Sequence, residues 1–219
     1  MNRIGVVAAA GLAVMGTVSA AAGQACLGVP TRDAGFNVAA EMAMPTNARQ
    51  YAAVLNADLI GPLSFELNAG LIDIDEVEDH GATMGGRIGY TLGAVPALSV
   101  CPIAGAQYST ISTEESLIDG PLTVDATTLV LSAGAGIGKT FGAGPAVTLF
   151  AQPQYLYIRN TFDDAISPEE TGSRNELGID TGARLSVGRL LLGGGMTWTT
   201  IDDADPVFSL TAGMTFGSD

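Results

Sequence analysis

Leu63-Ser64-Phe65-Glu66-Leu67-Asn68-Ala69-Gly70-Leu71 decides the fold. Every second residue is apolar, and the residues between are polar or glycine. Successive side chains of an extended chain point to opposite faces, so this stretch reads as a β-strand with one greasy and one polar side. A helix would space its apolar residues three and four apart. The same period recurs at 36–44, 51–59, 84–92, 98–109, 127–141, 147–158, 176–187, 190–200 and 206–216. That gives ten candidate strands, about nine to fifteen residues each, close to what a tilted strand needs to cross a bilayer.

The composition agrees. The 219 residues are 47% apolar and 15% charged, with 29 glycines and a net charge of −14. The charge sign excludes nucleic acid, whose phosphates call for Lys and Arg. No uncharged run past the N-terminus is long enough for a membrane helix. At that N-terminus, Met1-Asn2-Arg3, an apolar stretch Ile4–Val18 and the small residues Val18-Ser19-Ala20 have the three parts of a secretory signal peptide. The expected organisation is a signal peptide over 1–22, an N-terminal periplasmic segment over 23–34 and a β-domain over 35–216. Two cysteines remain after export, Cys26 and Cys101, and an oxidising compartment makes one disulfide between them the default; two unrelated buried thiols are the alternative.

The links alternate in length. Short ones (60–62, 93–97, 142–146, 188–189) take turns with longer acidic ones (73–80, 110–125, 159–174, 202–205), and the longer set holds 16 of the 23 acids. In an up-and-down chain those acids all arrive at one end. Period two alone also fits a soluble sandwich or a lipocalin-like barrel with its apolar set inside, and the aromatics decide between them. Tyr51, Tyr108, Tyr155, Tyr157, Trp198 and Phe208 fall on the apolar face near the long-loop end, and Phe36, Phe65, Tyr90, Phe141 and Phe216 near the short-turn end. Two girdles of rings belong to a lipid-facing surface. In hydrocarbon a free sheet edge leaves backbone groups unbonded, so the sheet must close.

These features, together with the final strand Phe208-Ser209-Leu210-Thr211-Ala212-Gly213-Met214-Thr215-Phe216, make residues 35–216 resemble the small bacterial outer-membrane β-barrel proteins, the class of the outer membrane protein A barrel and the opacity-type proteins. Members usually end on the aromatic itself, whereas Gly217-Ser218-Asp219 follow here. The fold expected is an all-β, closed, antiparallel, up-and-down transmembrane barrel of about ten strands in the outer membrane. Pro102 and Pro153 interrupt two of them, which keeps eight strands plus irregular segments open.

Inside such a barrel the inward charges would be Glu41, Asp58, Glu66, Glu176, Asp180, Arg87 and Arg184. Folding the third and fourth strands about the 73–80 link sets Glu66 opposite Arg87, a lumen charge pair. His80 is the only histidine and lies in the same link as Asp73 and Asp75, with no histidine in the facing loops to complete a catalytic site. No catalytic residue, cofactor or metal site is therefore assigned. The run 73–79 lacks the spacing of a calcium loop, leaving at most loose divalent-cation binding at the acidic loops. The expected partners are outer-membrane lipid and lipopolysaccharide. The expected function is non-enzymatic: a barrel with a plugged or very narrow lumen and a structural or surface-contact role through its acidic loops. A small, weakly cation-preferring channel is the alternative.

Overall fold

Strands with a hydrocarbon-facing side must pair along both edges, because no water is present to satisfy a free N–H or C=O. The computed structural model describes residues 35–58, 63–74, 80–90, 92–95, 98–117, 120–141, 145–164, 170–201 and 204–217. The signal peptide and the 23–34 segment lie outside the described residues. The strands are β1 (Gly35–Met44), β2 (Ala48–Asp58), β3 (Leu63–Ile74), β4 (His80–Tyr90), β5 (Leu92–Val95), β6 (Leu98–Leu117), β7 (Gly120–Phe141), β8 (Ala146–Asp164), β9 (Glu170–Val187), β10 (Leu190–Thr199) and β11 (Val207–Gly217). Neighbours are antiparallel throughout. β1 pairs with β11 and β4 with β6, which closes the sheet. β5 continues β4 along β6, so the eleven strands form ten staves.

The register fixes the geometry. Following paired residues once around, Ser99 leads through Gly138, Phe150, Gly182, Gly195, Ser209, Ala43, Gln50, Ile72 and Gly81 back to β6 at Ile111, twelve residues further on. Ten staves with that stagger tilt the strands by about 40° and give a backbone radius of about 10 Å. Inward side chains from opposite walls can meet across such a lumen.

Both prolines are absorbed without changing the strand count. The β4–β6 ladder stops at Gly89–Ile103 and resumes along β5 at Leu92–Val100, a gap that contains Pro102. The β7–β8 ladder skips from Gly134–Gln154 to Ile137–Ala151, a gap that contains Pro153. The register is the same on both sides of each gap, so neither proline needs an inserted residue.

In two of the expected long loops the described residues are strand instead. β6 and β7 run on to Leu117 and from Gly120, and β8 and β9 run on to Asp164 and from Glu170. The residues assigned there to loops include Thr110, Ile111, Thr113, Val124, Thr161 and Thr171. Their β-branched side chains suit a pleated sheet, and charge at the hairpin tips does not stop the ladder. These four strands, of 18–22 residues, are far longer than a bilayer crossing requires.

The faces are arranged inside out relative to a soluble protein. Leu67, Ile88 and Leu210 are 52%, 57% and 53% exposed, whereas Glu66 and Arg87 are 2% and 6% exposed. Most of the expected girdle rings are also outward and exposed, from Tyr51, Tyr108, Tyr155, Trp198 and Phe208 near one rim to Phe36, Tyr90, Phe141 and Phe216 near the other. Phe36 stacks on Phe216 across the β1–β11 seam, with ring centroids 5.1 Å apart. Phe208 and Phe216 bracket β11; eight residues at this tilt span about 20 Å of height, within the apolar band of an outer-membrane barrel.

An outward leucine in mid-strand tests this orientation. Leu67→Arg is expected to destabilise the barrel in lipid vesicles by about 2–4 kcal/mol, read from the unfolding transition followed by Trp198 fluorescence. A barrel with its outer wall in water would tolerate the change.

Candidate functional site

The alternation that sends leucines outward sends charges inward, and the stagger brings them to one level. Glu41 on β1, Glu66 on β3, Arg87 on β4, Gln152 and Gln154 on β8, and Asp180 and Arg184 on β9 are all buried in the lumen. Glu66 stands opposite Arg87 in the β3–β4 register. Arg87 also reaches across the barrel: its Nη1 donates to Gln152 Oε1 at 3.1 Å, and its Nη2 lies 3.5 Å from Asp180 Oδ2. Asp180 accepts further hydrogen bonds from Gln154 Nε2 at 2.9 Å and Thr197 Oγ1 at 2.7 Å. Glu41 accepts from Thr211 Oγ1 at 3.3 Å.

Arg184 is held differently. Its guanidinium lies over the Phe150 ring at 5.8 Å, and it interacts electrostatically with Glu66 and Glu41. The layer as a whole holds three carboxylates against two guanidinium groups. Buried ions of this kind persist only when paired and hydrogen-bonded, since a lone one would cost several kcal/mol. Glycines make room for them. A Cβ on Gly105 would stand 2.7 Å from Arg87 Cγ, and one on Gly182 would stand 2.5 Å from both the Phe150 ring and Gly194 O.

The other residues singled out from sequence lie away from this layer. Glu176 accepts from Thr200 Oγ1 at 2.6 Å, toward the long-loop end of β9. Asp58 is the last residue of β2. Cys101 is fully buried near the start of β6, its Sγ 3.9 Å from Gly136 O, and Cys26 lies outside the described residues. His80 faces Asp73 across the β3–β4 hairpin, Nδ1 to Oδ1 3.7 Å, with the histidine exposed and the aspartate half-buried. Tyr157 and Phe65 are half-buried on the outer wall.

Sequence reasoning missed a second lumen layer. Toward the long-loop end the inward positions turn aliphatic: Ile72, Ile74 and Ile111 form one cluster, and Val130, Leu156, Ile158 and Ile201 another. A signal for it exists. In Leu71-Ile72, Leu129-Val130-Leu131 and Tyr155-Leu156-Tyr157-Ile158 both alternating sets are apolar, so neither face of the strand there is wet. Two cavities that border the charged layer each hold about 10 Å³, room for a single water.

No protein-family model and no curated protein matches this chain. Among solved structures it is similar to the translocator domain of the autotransporter NalP from Neisseria meningitidis, at 9% identity over 96% of this chain and 97% of that one, with a TM-score of 0.55. It is also similar to the outer membrane protease OmpT from Escherichia coli, at 10% identity over 85% and 97% and a TM-score of 0.48. A third is Ail, the attachment invasion locus protein of Yersinia pestis, at 15% identity over 83% and 99% and a TM-score of 0.46. At such identities the likeness is one of fold. A closed sheet, apolar outside and charged inside, places the chain in a bacterial outer membrane.

Removing one partner should expose the cost of the buried layer. Arg87→Gln is expected to lower unfolding free energy by about 3–5 kcal/mol, with partial recovery in the Arg87→Gln, Asp180→Asn double variant, measured by urea titration of the lipid-embedded barrel. Gly182→Ala is expected to cost about 1–3 kcal/mol in the same titration, because neither the Phe150 ring nor the Gly194 carbonyl can retreat freely.

Proposed function

We propose that this protein is a closed outer-membrane scaffold whose lumen does not conduct and whose work is done by the surface it presents beyond the membrane. The observation that carries this reading is the stacking of two unlike barriers in one lumen. Arg87 bridges the middle of the barrel to Gln152 and Asp180, and above it lies an aliphatic collar containing Ile72, Ile111, Leu156 and Ile158. A hydrated ion would have to displace the first and shed its water in the second. The long β6–β7 and β8–β9 hairpins, with their acidic tips, form the presented surface.

The reading includes a disulfide from Cys26 to Cys101. Cys101 opens into the lumen near its short-turn end, the same end from which β1 begins. The nine Cα-to-Cα steps from Cys26 to Gly35 can span about 30 Å, more than the lumen's width. A bridge would draw the 23–34 segment over that mouth. The unreduced protein is expected to yield a 26–101 linked peptide on mapping, and two free thiols would remove this element.

The alternative is a small, weakly cation-preferring channel, favoured by the excess of carboxylates in the charged layer. Planar-bilayer recording separates the two. Wild type is expected to be silent, while Leu156→Ser combined with Ile158→Ser should raise leak currents by wetting the collar. Stable single-channel steps from the wild type would establish the channel instead.

A further inference from the structure

The outer wall changes chemistry just above its upper tyrosines. On β8 the outward side chains run Tyr155, Tyr157, Arg159 toward the long-loop end. Tyr155 is 48% exposed, and Arg159 is exposed. Two residues beyond Tyr157 is about 5 Å of height at the barrel's tilt, which lifts Arg159 from the edge of the hydrocarbon to headgroup level.

The register supplies its neighbours. Leu129 of β7 and Ser173 of β9 flank Arg159, and Leu131 and Asn175 flank Tyr157. No carboxylate stands across from Arg159 on either side. The other outward arginine near this rim, Arg49 on β2, faces Asp73 directly. Arg159 is thus a guanidinium with uncompensated charge, set among hydroxyl and amide donors, above a wall of Leu131, Tyr155 and Leu177. That is the complement of an anionic headgroup whose acyl chains lie along the barrel. It also answers an electrostatic difficulty, since a chain of net charge −14 with acidic hairpin tips is repelled by an anionic leaflet elsewhere.

We propose that Arg159, with Ser173 and Asn175, binds a phosphate of a phosphorylated glycolipid in the outer leaflet. The inference rests on the outer-membrane placement and adds to it a site and a ligand class. A guanidinium–phosphate contact at a membrane interface should be worth a modest but readable factor.

The test uses the full-length barrel in detergent and fluorescently labelled lipopolysaccharide, read by anisotropy. Arg159→Gln is expected to bind about three- to tenfold more weakly, Arg159→Lys to recover part of the loss, and Arg49→Gln to match wild type. With dephosphorylated lipopolysaccharide the difference between wild type and Arg159→Gln should vanish. Equal binding by wild type and Arg159→Gln, or a loss that persists without the phosphate, would overturn the site. Displacement by inorganic phosphate alone at the same concentration would overturn the lipid as its ligand. A heat-modifiability gel keeps the premise separate: if unboiled and boiled wild type migrate alike, the outer-membrane placement fails rather than the phosphate site.

Discussion

In hydrocarbon, a backbone N–H without a partner has nowhere to turn, and this constraint organises the whole molecule. It forbids an edge, so β4 must find β6 and β1 must find β11. Once the ladder closes, only whole values of stagger are allowed, and this chain takes twelve residues over ten staves. Tilt, radius and the meeting of opposite walls all follow from that one number. The two prolines show how strong the constraint is. Each forgoes a ladder bond on one side, yet the ladder resumes in the same register directly across the gap, and the one-residue shift in β5 comes only between Leu92 and Val95.

Closure also inverts the usual logic of burial. Hydrophobic burial does not stabilise the barrel's outer wall against water in the way it does a soluble core, because that wall is solvated by lipid. The stability specific to the tertiary structure comes from within: the Arg87–Gln152–Asp180 bridge, the hydroxyl and amide donors around Asp180, and the aliphatic clusters above them. The inward glycines belong to the same economy of space. Large side chains such as Phe150 and Arg87 fit because the wall facing them carries no Cβ at Gly182 and Gly105.

The lumen is thereby divided by chemistry along its length. A charged, hydrogen-bonded middle gives way toward the long-loop end to two clusters of buried aliphatic side chains. Above the aliphatic clusters the β6–β7 and β8–β9 strands run on well past the length of a bilayer crossing. The outer wall is graded in the same direction, from leucine through tyrosine to arginine on β8.

Much of this was legible in the residues themselves, because period two is a local property. The alternation of Leu63–Leu71 or Phe208–Phe216 needs no knowledge of the rest of the chain to say which side chains share a face. Hairpin neighbours such as Glu66 and Arg87 are local in the same sense, since a short link sets their register. The hairpins of β6–β9 were less legible, because acidic residues that signal a loop in isolation are carried by strand pairing once a neighbour holds them. The contact between Arg87 and Asp180 could not be read at all. It joins residues 93 positions apart on walls four staves distant, and it exists only for the stagger that closure selects. The sequence by itself determined which residues face lipid and which face inward, because that choice is made one peptide at a time. Only the closed tertiary structure decided which inward residues touch, because partners across a lumen are set by the tilt of the whole sheet.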